Sequence, residues 1–162
     1  MKKKRFWFDC EFIDGETLDL ISIGMVSEDD IQYYAVSSDF DPAKVNQWVK
    51  DNVLTVLHTD ARISNDRIRE DLIKFVGNKC EPEFWSYCGA YDWVILCRLF
   101  GGMKCLPLNW PNYYRELNHW ADDLGVTNLP PMKIHTRRNA LYDARWHREI
   151  WNQLSYSLLN RK

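Results

Sequence analysis

The sequence predicts an α/β fold in which a mixed β-sheet is flanked by helices. Three β-rich runs joined by short turns fill the first quarter of the chain, as an antiparallel three-strand meander would. Helical segments then alternate with one further strand run, and a long amphipathic helix closes the chain. The 162 residues are 46% hydrophobic and 14% aromatic, enough to bury one core, so a single domain over 1–162 is expected and a disordered chain is excluded.

Residues 5–13 (RFWFDCEFI) read as a central strand, apolar on both faces. Gly15-Glu16 supplies a turn, residues 17–27 a second strand, Glu28-Asp29-Asp30 another turn and residues 31–37 a third strand. Pro42 opens a short helix expected to run to about Val49. Ser64 or Asn65 caps a helix that carries Ile68, Leu72, Ile73 and Val76 on one side. Glu70 and Lys74 form an i,i+4 pair on the other, and Gly77 stops the helix. Residues 83–88 predict a fourth strand, 91–100 a buried helix ended by Gly101-Gly102, 115–124 a further helix and 139–159 the last one. There is no internal repeat and no low-complexity linker.

No apolar run approaches the ~18 residues of a membrane span. The basic start Met1-Lys2-Lys3-Lys4-Arg5 is interrupted by Asp9 and Glu11 where a signal peptide would stay apolar. The five cysteines (10, 80, 88, 97, 105) are odd in number and lack C-x-x-C spacing, which argues against a disulfide framework or a zinc knuckle and predicts a cytoplasmic protein. Net charge is only -2, yet residues 1–5 are purely basic. Residues 131–148 carry Lys133, Arg137, Arg138, Arg145 and Arg148 against Asp143 alone. Such local stretches suit phosphate, although either one alone also fits a solvated face.

The informative residues are acids at positions that the pattern marks as buried. Asp9 and Glu11 lie two apart on the first strand and leave the same face, about 7 Å apart. They repel unless a cation lies between them, and a strand end open to water or salt bridges to a nearby Lys or Arg would also accommodate them. Asp92 opens the buried helix after the fourth strand, where Asp also serves as an ordinary first-turn residue. Asp143 falls on the stripe of the last helix formed by Ala140, Trp146, Ile150, Leu154 and Leu158, while Arg145 and Arg148 point elsewhere. A carboxylate on a core stripe costs several kcal/mol without a partner. Four carboxylates from distant segments can converge on two Mg²⁺ ions, or Mn²⁺ in their place, the arrangement that suits in-line phosphodiester hydrolysis.

The segments FDCEFIDG (8–15), LISIGMVSEDD (20–30), YYAVS (33–37), GAYDWVILCRLFGGM (89–103) and NALYDAR (139–145) span nearly the whole chain. Together they resemble the DEDD superfamily of 3′-to-5′ exonucleases, in the RNase T and oligoribonuclease group, nearest to the RNase AS type of polyadenylate-specific exoribonucleases. The resemblance implies an RNase H-like fold, a homodimer, and single-stranded RNA, adenylate-rich in that type, hydrolysed from its 3′ end to nucleoside 5′-monophosphates. It also implies Asp9, Glu11, Asp92 and Asp143 as metal ligands. Phe12, Tyr91 and Trp93, beside the first two acidic motifs, are candidate substrate contacts, and Trp85 and Tyr87 flank the second. For Phe12 alone a core position is the commoner reading, and most of the eight tryptophans and eight tyrosines fall where core packing is usual.

One position departs from the family. Its histidine branch places His five residues before the last Asp; here that residue is Arg138. The tyrosine branch places Tyr four before, where this chain has Asn139. Arginine stays protonated, so Arg138 cannot act as a general base and binds phosphate instead. His135, in a Pro-flanked loop, is an alternative base or substrate contact, and His147 reads as a core or supporting residue. A chain that keeps metal and RNA but barely cuts is the alternative function, and a single-stranded DNA exonuclease is a third, since no motif here reads a 2′-hydroxyl.

Overall fold

The computed structural model describes residues 1–15, 17–57, 61–132 and 138–160. Five strands, β1 (Lys2–Ile13), β2 (Asp19–Ser27), β3 (Gln32–Val36), β4 (Cys80–Ser86) and β5 (Arg115–Glu116), form one sheet in the order β3-β2-β1-β4-β5. The meander β1-β2-β3 is antiparallel, whereas β4 lies parallel to β1 and β5 parallel to β4. Among the described residues five α-helices flank the sheet: α1 (Gln47–Asn52), α2 (Asn65–Val76), α3 (Ala90–Leu99), α4 (Leu117–Asp123) and α5 (Ala140–Leu159). This is the mixed α/β architecture that the sequence predicts, consistent with an RNase H-like sheet. Among the described residues no helix is long and apolar enough to cross a membrane.

Strand period sorts β1 between two cores. Phe6, Phe8 and Cys10 point into a cluster with Ile68 and Leu72 of α2 and Ile95 and Leu96 of α3. Trp7 points the other way, into a cluster with Leu117 and Ala121 of α4 and Ile150 and Leu154 of α5. Asp9 and Glu11 follow Trp7 at the same period, so they face the layer that contains α5. Ile13 ends that row in a third cluster with Ile21, Phe40, Val45, Val49 and Val53.

Several elements differ in extent from the sequence expectation. β1 starts at Lys2 rather than residue 5, because its first residues pair in parallel with β4 from Lys2↔Cys80 onward. The stretch opened by Pro42 is not one helix: a 3₁₀ turn (Pro42–Lys44) ends at extended Val45, and α1 restarts under an Asn46 cap. Lys74 pairs with Asp71 at 3.9 Å instead of with Glu70. Residues 115–116 leave the expected helix to form β5. α3 is not buried all round, since Tyr91 and Val94 are exposed, and Leu158 is exposed near the end of α5. The expected turn residue Glu16 lies outside the described residues.

Gly24 of β2 fixes how α5 lies on the sheet. It pairs with Asp9, and a Cβ built there would stand 2.3 Å from the backbone of Ala140 and Leu141. Without a side chain, β2 admits the first turn of α5 into backbone contact, which delivers Asp143 one turn later to the face of Asp9 and Glu11.

Candidate active site

Each acid is carried by a locally well-defined element. Asp9 and Glu11 stand near the carboxyl end of β1, where the pairing with β2 shifts register between Glu11 and Phe12. Glu11 pairs with Ser22 and Phe12 with Leu20, so Ile21 is an extra residue in β2 that re-aims the strand end. Asp143 sits in the first turn of α5, whose Asn139 cap accepts hydrogen bonds from the Leu141 and Tyr142 N–H groups. One oxygen each from Asp9, Glu11 and Asp143 lie within 4.8 Å of one another, a grouping able to hold a metal ion.

Asp92 lies in the first turn of α3 and lines the same cleft, outside that triad. It does not cap its helix: its Oδ1 accepts the Cys10 N–H at 2.9 Å, tying α3 to β1 between the two strand acids. The loop before α3 is held by Glu116, whose carboxylate accepts the Cys88 N–H (2.8 Å), the Gly89 N–H (3.0 Å) and the Tyr114 hydroxyl (2.9 Å). That bond fixes Cys88 in a left-handed conformation, φ +54°.

Burial and like charge act together on these groups. Burial raises Asp9 well above the ordinary carboxylate range, and Asp92, Asp143 and Glu11 push it further, against the opposing charge of Arg138. Glu11 is pushed up to about 8, by burial first, then Asp143 and Asp92, with Arg138 opposing. Asp92 is raised to about 7 by burial, partly offset by its hydrogen bonds to the Cys10 N–H and its own N–H, while Glu116 and Asp143 add to the rise. Such a cluster keeps protons at neutral pH when no cation is bound, and a bound cation would favour its ionised form.

His147, one turn after Asp143, is buried. Its Nδ1 lies 3.0 Å from the Phe8 carbonyl oxygen and donates to it, which leaves Nε2 as the acceptor, 3.9 Å from Asp9 Oδ1. Burial lowers its pKa to about 4, so the ring is neutral at neutral pH. This is the supporting place the sequence suggests for it.

The acids line a cleft of about 450 Å³ with Phe12, Asn46, Trp48, Tyr87, Tyr91 and Arg138. Of the expected substrate contacts, Tyr91 is 58% exposed at the rim, with its ring centroid 5.9 Å from that of half-buried Phe12. Trp93 is corrected: it is buried in the core beside Phe84 (5.9 Å), Tyr114 (6.0 Å) and Phe8 (6.3 Å) and does not line the cleft. Trp85 is likewise a core residue, packed on Trp120 at 5.2 Å. Arg138 is exposed at the cleft with left-handed backbone, φ +67°, and His135 lies outside the described residues. Sequence reasoning missed Trp48 and Glu116. Trp48 fell within the stretch that the sequence reads as one helix, and nothing in the local pattern marked Glu116.

A mixed sheet with two carboxylates near the end of its central strand and a third from α5, opened to solvent by a cleft, defines an α/β protein with an oxygen-donor grouping able to hold a cation. Residues 4–155 match the model of the 3′-5′ exoribonuclease Rv2179c-like domain, and the chain belongs to that family of exoribonucleases. Two relatives from Mycobacterium tuberculosis, 3′-5′ exoribonuclease Rv2179c of strain H37Rv and 3′-5′ exoribonuclease MT2234.1 of strain CDC 1551, are each 43% identical over 147 residues. The match covers 87% of this chain and 87% of each relative.

Proposed function

We propose that this chain is a metal-dependent 3′-to-5′ exoribonuclease of the DEDD type. In this reading it hydrolyses single-stranded RNA to nucleoside 5′-monophosphates, with Asp9, Glu11, Asp92 and Asp143 as its acidic set. The convergence of Asp9, Glu11 and Asp143 oxygens within 4.8 Å is the observation that carries the reading. The donors are all oxygen, which fits Mg²⁺ or Mn²⁺, and two ions would use Asp92 as well. Bound there, such ions would supply positive charge to a developing phosphorane-like transition state and acidify an attacking water. Asp92 is oriented by the Cys10 N–H, and neutral His147 holds the strand carbonyl beside Asp9. Tyr91 and Phe12 offer aromatic surface to the terminal base. Adenylate-rich strands are the preferred substrate in this reading, the working form is a homodimer and the location cytoplasmic.

A second reading follows from Arg138. A permanent cation stands where a proton acceptor is expected, and it favours a protein that holds metal and RNA but turns over slowly. The test is a 5′-labelled single-stranded oligoadenylate with Mg²⁺ or Mn²⁺, with EDTA and Asp9→Ala controls. A ladder shortening from the 3′ end, dependent on metal and absent in the variant, supports the enzyme. Metal-dependent retention without shortening supports the binder, and a protein that neither shortens nor retains the oligomer overturns both readings.

A further inference from the structure

Among the described residues lining the acidic cleft, Arg138 is the sole Arg or Lys, set against Asp9, Glu11, Asp14, Asp92 and Asp143. A phosphodiester entering such a cleft needs positive charge, and apart from bound metal this guanidinium is what those residues offer it. Among the described residues Arg138 makes no ion pair or hydrogen bond, and its charge opposes those of Asp9 and Glu11 across the cleft. Its position is nevertheless determined. The backbone is held at φ +67°, a conformation that costs a non-glycine residue free energy and persists where surroundings impose it.

Two contacts join this turn to one segment. The guanidinium lies 4.9 Å from the ring centroid of Trp48, which is 52% exposed on α1. The next residue, Asn139, is buried and donates from Nδ2 to the Val56 carbonyl at 2.9 Å, just beyond α1. The segment 46–56 is thus fastened to the start of α5 at two consecutive residues. Asn139 fixes the backbone, and the indole face fixes where the long Arg138 side chain ends.

We infer that Trp48 is a positioning residue that holds Arg138 over the acidic cleft as a clamp on a substrate phosphate. The inference rests on the exoribonuclease reading. An arginine free in solvent loses rotamer entropy on binding an anion; one already stacked on an indole has lost much of it beforehand. Trp48 therefore acts on substrate affinity through Arg138 and makes no contribution to the bond-breaking step.

The experiment measures affinity for a fluorescein-labelled single-stranded oligoadenylate in Ca²⁺, and KM and kcat in Mg²⁺ or Mn²⁺, for Trp48→Ala, Trp48→Phe, Arg138→Ala and the Ala/Ala double variant. Trp48→Ala is expected to weaken binding and raise KM roughly 3- to 10-fold, with kcat within about twofold. Trp48→Phe restores most of the loss, because an aromatic face returns. In the Arg138→Ala background, Trp48→Ala costs nothing more. Losses that add in the double variant, or a Trp48→Phe protein as weak as Trp48→Ala, overturn the clamp while leaving the exoribonuclease reading intact. A parent protein that neither retains nor shortens the oligomer overturns both.

Discussion

The Asp92 carboxylate accepts the backbone N–H of Cys10 at 2.9 Å, across 82 residues of chain. Cys10 lies between Asp9 and Glu11, so the acid from α3 is keyed to the strand that carries two others. The parallel pairing of β4 with β1 makes this possible by bringing the start of α3 to the carboxyl end of β1.

Glu116 secures the other side of that connection. Glu116→Ala removes one acceptor from two backbone N–H groups and a tyrosine hydroxyl, with an expected cost of about 2–3 kcal/mol in urea unfolding. The loop that aims Asp92 loosens, so cleavage falls by more than RNA affinity does. A variant with full stability and full cleavage would remove Glu116 from this role.

Gly24→Ala tests the seat of α5. Its methyl group would meet backbone atoms 2.3 Å away, which cannot yield as a flexible side chain does. Expected are a stability loss of about 2–3 kcal/mol and loss of metal-dependent cleavage, because Asp143 moves with its helix. Paired chemical denaturation and nuclease assays would show it, and an unchanged protein would mean that α5 sits elsewhere.

Acidity should couple to stability with a defined sign. Glu11 and Asp92 carry folded-state values of about 8 and 7, above their ordinary 4.5 and 3.8, so the folded protein keeps protons that the unfolded chain releases. That stabilisation is full below the unfolded values and is lost as pH rises through the folded ones. His147, lowered to about 4, has the opposite sense, but its contribution is already complete above its unfolded value of 6.5. Between about pH 6.5 and 8.5 the melting temperature of EDTA-treated protein therefore falls. Saturating Mg²⁺ or Mn²⁺ opposes the fall, most strongly at the upper end, where the carboxylates are ionised. Scanning calorimetry across that range decides, and a flat metal-free profile counts against the buried acid cluster.

Arg138→His restores a titratable group at the position where the family resemblance places its base. Single-turnover cleavage should rise on the order of a hundredfold, with KM changing much less. No rise would mean that proton transfer is handled elsewhere in the cleft.

The sequence by itself determined the mixed sheet, the meander, the capped helix that ends at Gly77, the last helix over about 139–159, and the two-residue spacing of Asp9 and Glu11 on one strand face. These are local: period 2, period 3.6, Ser and Asn caps, and glycine stops act within a few residues of where they are read. The inward stripe of α5 likewise marked Asp143 and set Arg145 and Arg148 aside, on Gln32 and Asp30 respectively.

The tertiary structure decided what depends on distant segments. Trp93 and Tyr91 are two apart in one helix turn, yet one is core and the other cleft rim, because Phe8 of β1 and Phe84 of β4 pack on Trp93 while Tyr91 faces the cleft. A two-residue strand such as β5 has no period to read, so the role of Glu116 was invisible before Ser86 was placed beside it. Trp48 and Arg138 are ninety residues apart in sequence, and the turn after α1 meets the start of α5 through the Asn139–Val56 bond. Side-chain periodicity shows which face a residue takes; which neighbour waits on that face is set by the packing of whole elements.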